Sequence, residues 1–88
     1  MAKKEHHVIL GVHITDRLKK AALVQSLLSK YGSHIRTRVG LHDVTGKSGS
    51  PNGVVLLEMV GAMTHSDALA AKLGAIPGVE VQRIVFTH

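Results

Sequence analysis

Apolar residues in this chain keep changing their spacing, from every second position to helical spacing and back, and the order of those changes leaves few folds open. Val8, Leu10, Val12 and Ile14 alternate with His7, Ile9, Gly11 and His13, the pattern of a strand that buries one face. Leu18, Ala21, Ala22, Val24, Leu27, Leu28 and Tyr31 then recur at helical spacing, which predicts an amphipathic helix over about 17–31. Thr15-Asp16 offers its N-cap, a short side-chain oxygen that accepts an orphan amide proton, and Gly32 offers a left-handed stop. Ile35, Thr37, Val39 and Leu41 alternate with Arg36, Arg38, Gly40 and His42 as a second strand. Asp43–Gly53 holds three Gly, two Ser, one Pro and one Asn and reads as a mobile hairpin loop. Val54 to Gly61 is a third, apolar strand interrupted by Glu58. Thr64, with Asp67 as capping-box partner, opens a second helix that runs through Leu69, Ala70 and Leu73 and ends near Gly74. Pro77-Gly78 is a turn, and Val79 to Phe86 is the last strand.

The order β-α-β-β-α-β predicts an α+β fold. It is the ferredoxin-like sandwich, a four-stranded antiparallel sheet with both helices on one face. The 88 residues allow one domain, 1–88, in which 1–6 are expected to fray. A chain of this size buries roughly 60–65% of the surface its unfolded form exposes, so its stability margin is thin. A hydrophobic fraction of 44% excludes intrinsic disorder, and no apolar run approaches the ~20 residues that span a bilayer. No signal peptide is read at the start, and the absence of cysteine excludes disulfides, thiolate metal sites and thiol catalysis. A cytoplasmic protein is expected.

Helices cover only one face of such a sheet. The other face is expected to carry Ile9, Gly11 and His13 from the first strand and Val54, Leu56, Glu58 and Val60 from the third. A solvated face reads polar at alternate positions, and this one is largely apolar. Its simplest cover is the same face or edge of another copy, so a homo-oligomer, dimer or tetramer, is expected. Glu58 in such a surface needs a partner, because desolvating an unpaired carboxylate is costly. His13, Arg36 and Arg38 are the candidates expected on its face.

A formal charge of +5 raises the question of nucleic acid, which Arg36, Arg38 and Lys47 would contact. The basic residues are scattered, and one Tyr and one Phe supply no stacking platform, so direct nucleic-acid binding is disfavoured. The seven His show no chelating spacing, although His7, His13, His42 and Glu58 are the set that an oligomer would bring to one metal ion. Gly46-Lys47-Ser48-Gly49 echoes the end of a phosphate-binding loop but lacks its earlier Gly and its following helix. Ser48 and Ser50 have no evident base, and no catalytic residue is expected.

Several segments resemble a known group: Ile14-Thr15-Asp16-Arg17, Val24 with Leu27-Leu28, Ile35 with Arg38-Val39-Gly40, and Lys72 through Val81. They are similar to the small regulators of the iron-only hydrogenase system, and the resemblance covers nearly the whole chain. It implies an ACT-like domain, similar to the C-terminal domain of the nickel-responsive regulator, that assembles as dimers or tetramers without catalytic activity. In ACT domains the turn after the first strand borders an effector site at a subunit interface. That turn is Thr15-Asp16-Arg17 here, without the Gly usual in the family. The nickel site does not carry over, because this chain has no Cys and no paired His pattern. The expectation is a non-enzymatic, ligand-sensing regulatory domain with an unassigned small-molecule or metal effector. Its ligand-binding residues are expected to be Asp16, Arg17, His13, Arg38 and Glu58.

Overall fold

In the computed structural model, residues 6–15, 17–41 and 53–87 are described. The elements run β1 (His6–Ile14), α1 (Arg17–Lys30), a 3-10 turn (Gly32–His34), β2 (Ile35–Leu41), β3 (Gly53–Met59), α2 (Met63–Gly74) and β4 (Val79–Thr87). The strands form one four-stranded sheet in the order β2-β3-β1-β4, every adjacent pair antiparallel. This is the ferredoxin-like topology that the alternation of periods predicts. The loop expected over Asp43–Gly53, the cap at Asp16, and His42 and Lys47 lie outside the described residues, except that Gly53 already belongs to β3.

Alternation decides which face is dry. Val8, Leu10, Val12 and Ile14 of β1 and Leu57 and Met59 of β3 are buried with Val24 and Leu28 of α1, Leu69 and Leu73 of α2, and Val79. Both helices therefore pack on one face of the sheet. Burying a Leu or Val side chain contributes about 1.5–3 kcal/mol, so these positions are the main term opposing chain entropy.

Three local features differ from the sequence-based expectation. Gly32 does not take a left-handed conformation; α1 closes with the Tyr31 amide bonded to the Leu27 carbonyl, and the chain tightens directly into the 3-10 turn. Thr64 is inside α2 rather than at its cap. Ala62 takes the extended N-cap conformation with no side-chain cap bond. The polar residue that serves this first turn is Ser66, buried, whose hydroxyl donates to the Met63 carbonyl at 3.0 Å. Asp67 turns instead to Arg83 of β4.

Left-handed backbone occurs at Gly61 (φ 91°), between β3 and α2, and at Gly78 (φ 85°), in the expected Pro77-Gly78 turn. The Gly78 carbonyl accepts the Thr15 amide at 2.8 Å and so ties the α2–β4 turn to the turn that follows β1.

Candidate functional site

The helix-free face of the sheet is built in rows by the strand register. Ile9 stands between Glu58 and Ile84, Gly11 between Leu56 and Gln82, and His13 between Val54 and Glu80. On the far side of β3, Thr37 lies opposite Glu58 and Val39 opposite Leu56. Val39, Leu56, Ile84 and Phe86 are all exposed, so a largely apolar surface faces outward.

Glu58 is held at one edge of this surface. Thr37 Oγ1 donates to Glu58 Oε1 at 3.0 Å, and Arg36 Nη1 lies 3.7 Å from Oε2. Glu58 is half-buried and Arg36 exposed, so the ion pair is a weak, solvent-screened one beside the hydrogen bond from Thr37. The arrangement depends on a bulge. Ile35 pairs with Met59 but Thr37 pairs with Glu58, so two residues of β2 oppose one of β3 and the alternation shifts by one position. Arg38 consequently lies opposite Leu57, on the helix side, where its Nη1 donates to Gln25 Oε1 of α1 at 3.3 Å. The expectation that Arg38 shares a face with Glu58 fails for that reason.

His13 does not meet Glu58 either. The two belong to rows separated by the Gly11 row, and His13 lies opposite Glu80, whose Oε2 accepts from Gln82 Nε2 at 3.1 Å. Gly11 has no side chain to fill the space above it, which leaves a dent of about 340 Å³ lined by Gly11, His13, Val54, Glu80 and Gln82. Of the expected site residues, then, Glu58 sits at one end of the open face with Arg36, and His13 at the other with Glu80. Arg38 is behind the sheet. Arg17 opens α1, and Asp16 lies outside the described residues.

Thr37, Glu80 and Gln82 are polar residues of this face that are absent from the expected site. Glu80 and Gln82 were legible as alternate positions of the last strand; Thr37 was hidden by the bulge. Two further features lie off this face. A groove of about 670 Å³ runs between α2 and β4, with Asp67 and Arg83 paired at its rim. The imidazoles of His34 and His65 stack with centroids 3.6 Å apart and planes 9° from parallel.

Among the described residues no group of three or more His, Cys, Asp and Glu is placed to hold a metal ion. His7 lies opposite Phe86, a full strand segment away from His13, and His42 is outside the described residues. No helix among the described residues is long and apolar enough to cross a membrane.

No protein-family model matches the chain, and no curated protein matches it. Solved structures do. The uncharacterized protein TM1266 from Thermotoga maritima is 28% identical, with a TM-score of 0.78, over 96% of this chain and 99% of that one. CPII from Thiomonas intermedia K12, a nitrogen regulatory PII-like protein solved with ADP, AMP and acetate, is 10% identical with a TM-score of 0.58, over 99% and 92%. A formyltetrahydrofolate deformylase from Pseudomonas putida KT2440 contains the same fold at 14% identity and a TM-score of 0.55, the chain spanning 28% of it. This chain shares its fold with PII-like proteins.

Proposed function

We propose that the chain is a non-enzymatic, homo-oligomeric regulatory domain that senses a small ligand and acts in the iron-only hydrogenase system. The observation that carries this reading is the apolar, helix-free sheet face, exposed at Val39, Leu56, Ile84 and Phe86 and bounded at opposite ends by the polar groups around Glu58 and His13. A second copy on that surface brings polar groups of both copies to the edge of an interface. Ligand binding there biases assembly, because a ligand shifts an equilibrium by its differential affinity for the two states.

Glu58 is already engaged by Thr37 and Arg36, which suits a binding or register-setting group better than a free acid or base. The ligand-binding residues of this reading are His13 and Glu58 at opposite ends of the open face, Asp16 and Arg17 from the segment after β1, and Arg38 on the helix side of β2, as separate contacts rather than one cluster. Support for a small ligand comes from CPII, which carries ADP and AMP on this fold. The hydrogenase link rests on the resemblance of the segments from Ile14 to Val81.

Native mass spectrometry of untagged protein purified without oxygen, followed by titration with AMP and ADP, tests the reading. A dimer or tetramer that retains a small-molecule mass, or that binds either nucleotide saturably, is expected. A monomer with no retained mass and no nucleotide binding overturns it. Retained nickel, zinc or iron that is lost in His13→Ala replaces it with metal handling.

A further inference from the structure

β2 is an edge strand, and the bulge that inverts its alternation also decides where its two arginines go. Arg36 is left unpaired between Ile35 and Thr37, and Arg38 follows on the helix side. Bulges at sheet edges re-aim side chains in this way. Both arginines line one cleft of about 360 Å³ at the end of α1, together with Leu28 and Ser29 of α1, Gly32 and Ile35. Its volume lies at the lower end of the roughly 300–1,000 Å³ of small-ligand sites. Gly32 leaves the cleft open, since a Cβ there meets no heavy atom within 4 Å.

The charge of this cleft is one-sided. Among the described residues, no acidic side chain lines it. Arg38 meets a neutral partner, Gln25 Oε1, at 3.3 Å, and Arg36 stands 3.7 Å from Glu58 Oε2, beyond hydrogen-bond length. A guanidinium has five N–H donors in a planar fork that matches phosphate oxygens two at a time, and these single contacts use a small part of either fork. The negative end of α1 is partly answered: the Leu27 carbonyl accepts the Tyr31 amide, and the Tyr31 carbonyl accepts the His34 amide. Two guanidiniums facing one cleft without a carboxylate between them suit an anion of two charges and several oxygens.

We propose that this cleft binds a phosphoryl group, as free phosphate or as a small phosphate ester, between Arg36 and Arg38, and that binding draws Arg36 away from Glu58. The ligand competes for Arg36 because Glu58 holds it only through a long, solvent-screened pair. Glu58 then keeps Thr37 as a neutral donor and carries its charge at the edge of the open face. A second copy seated on that face would desolvate a carboxylate without its cation, which is costly. Phosphate in the cleft therefore opposes assembly on the open face, and assembly weakens phosphate by the same factor. The site deepens the proposed ligand-sensing reading at Arg38 and is complete in one copy; only the coupling rests on the homo-oligomer.

Calorimetric titration of the full chain with inorganic phosphate, AMP and adenosine, at an ionic strength fixed with chloride, tests the site. Saturable binding of phosphate or AMP, well above that of adenosine, is expected; tighter AMP assigns an ester and equal affinity the free ion. Arg38→Gln and Gly32→Asp are each expected to weaken binding about 10-fold or more with unchanged circular dichroism. Lys20→Gln, the same charge change at the other end of α1, is the control that leaves it unaltered. Glu58→Gln releases Arg36 and is expected to tighten phosphate about 2–5-fold. In sedimentation, saturating phosphate is expected to raise the dimer Kd about 5-fold or more in the wild type and not in Glu58→Gln. No saturable binding of phosphate or AMP, or binding that Arg38→Gln and Gly32→Asp leave intact, overturns the site, and the arginines then only keep other strands off the β2 edge. Binding of single-stranded RNA alone, lost steeply with salt, overturns it in favour of nucleic-acid contact. Phosphate that binds without changing the sedimentation of a dimer overturns the coupling. A chain monomeric at every concentration overturns the homo-oligomeric reading while the site stands.

Discussion

Gly61 turns the chain from β3 into α2 at a φ of 91°, with the stacked rings of His34 and His65 directly against it. A Cβ there would lie 3.5 Å from His34 Nδ1 and 3.6 Å from His65 Cδ2, an ordinary contact distance, so the objection to a side chain is the backbone conformation rather than space. Left-handed backbone costs a residue with a Cβ about 1–2 kcal/mol. Gly61→Ala is expected to lower the unfolding free energy by about that amount, read as a fall in the urea midpoint at unchanged slope. The chemistry at Glu58 was half legible from sequence. A carboxylate among Val and Leu demands a partner, and Arg36 is among those the alternation offered. Thr37 was missed and Arg38 wrongly included because a single bulged residue inverts which side chains face forward, and nothing in a run of Ile, Arg, Thr, Arg and Val marks where the extra residue sits.

Among the described residues, the helices reach the core through Val24 and Leu28 of α1 and Leu69 and Leu73 of α2. Leu69 of α2 has no exposed surface, and Leu69→Ala deletes buried carbon and leaves a cavity. The expected cost is about 2–5 kcal/mol, a large part of the ~5–15 kcal/mol that keeps a domain folded, so urea denaturation should show a markedly destabilised or partly unfolded variant. Lys72 of α2 sits 5.2 Å over the Tyr31 ring that follows α1. Hydrogen bonding and charge from Tyr31 raise the Lys72 pKa above its usual 10.5. A group whose folded pKa is raised stabilises fully below its unfolded pKa and stops doing so as pH rises through the folded one. The small Tm difference between wild type and Lys72→Met is therefore expected to hold across neutral pH and to vanish only on the alkaline side of 10.5. Element positions were readable because periods of two and 3.6 persist over whole segments. The start of α2 was not, since its cap is backbone geometry at Ala62, while of the residues that look like a capping box Thr64 lies inside the helix and Asp67 pairs with Arg83.

At the scale of the whole molecule, the order of elements dictated the topology, because two β-α-β crossovers leave one compact antiparallel arrangement. What covers the open face was not legible to the same degree. Alternation tells which residues face out, but the rows they form depend on register, and register separates His13 from Glu58 and joins it to Glu80. The strand order has one more consequence, for how the chain can fold as it is made. β1 lies between β3 and β4, and β2 touches only β3. A nascent chain that has emerged as far as β2 therefore holds two strands that are not neighbours and no ladder it can close. Pairing begins only when residue 53 and those after it arrive, and β1 waits for the nine residues of β4 to gain its second partner. Folding of this molecule is dominated by late, non-local closure, which makes it slow for its size and leaves β1 the strand most exposed to mispairing until β4 has emerged.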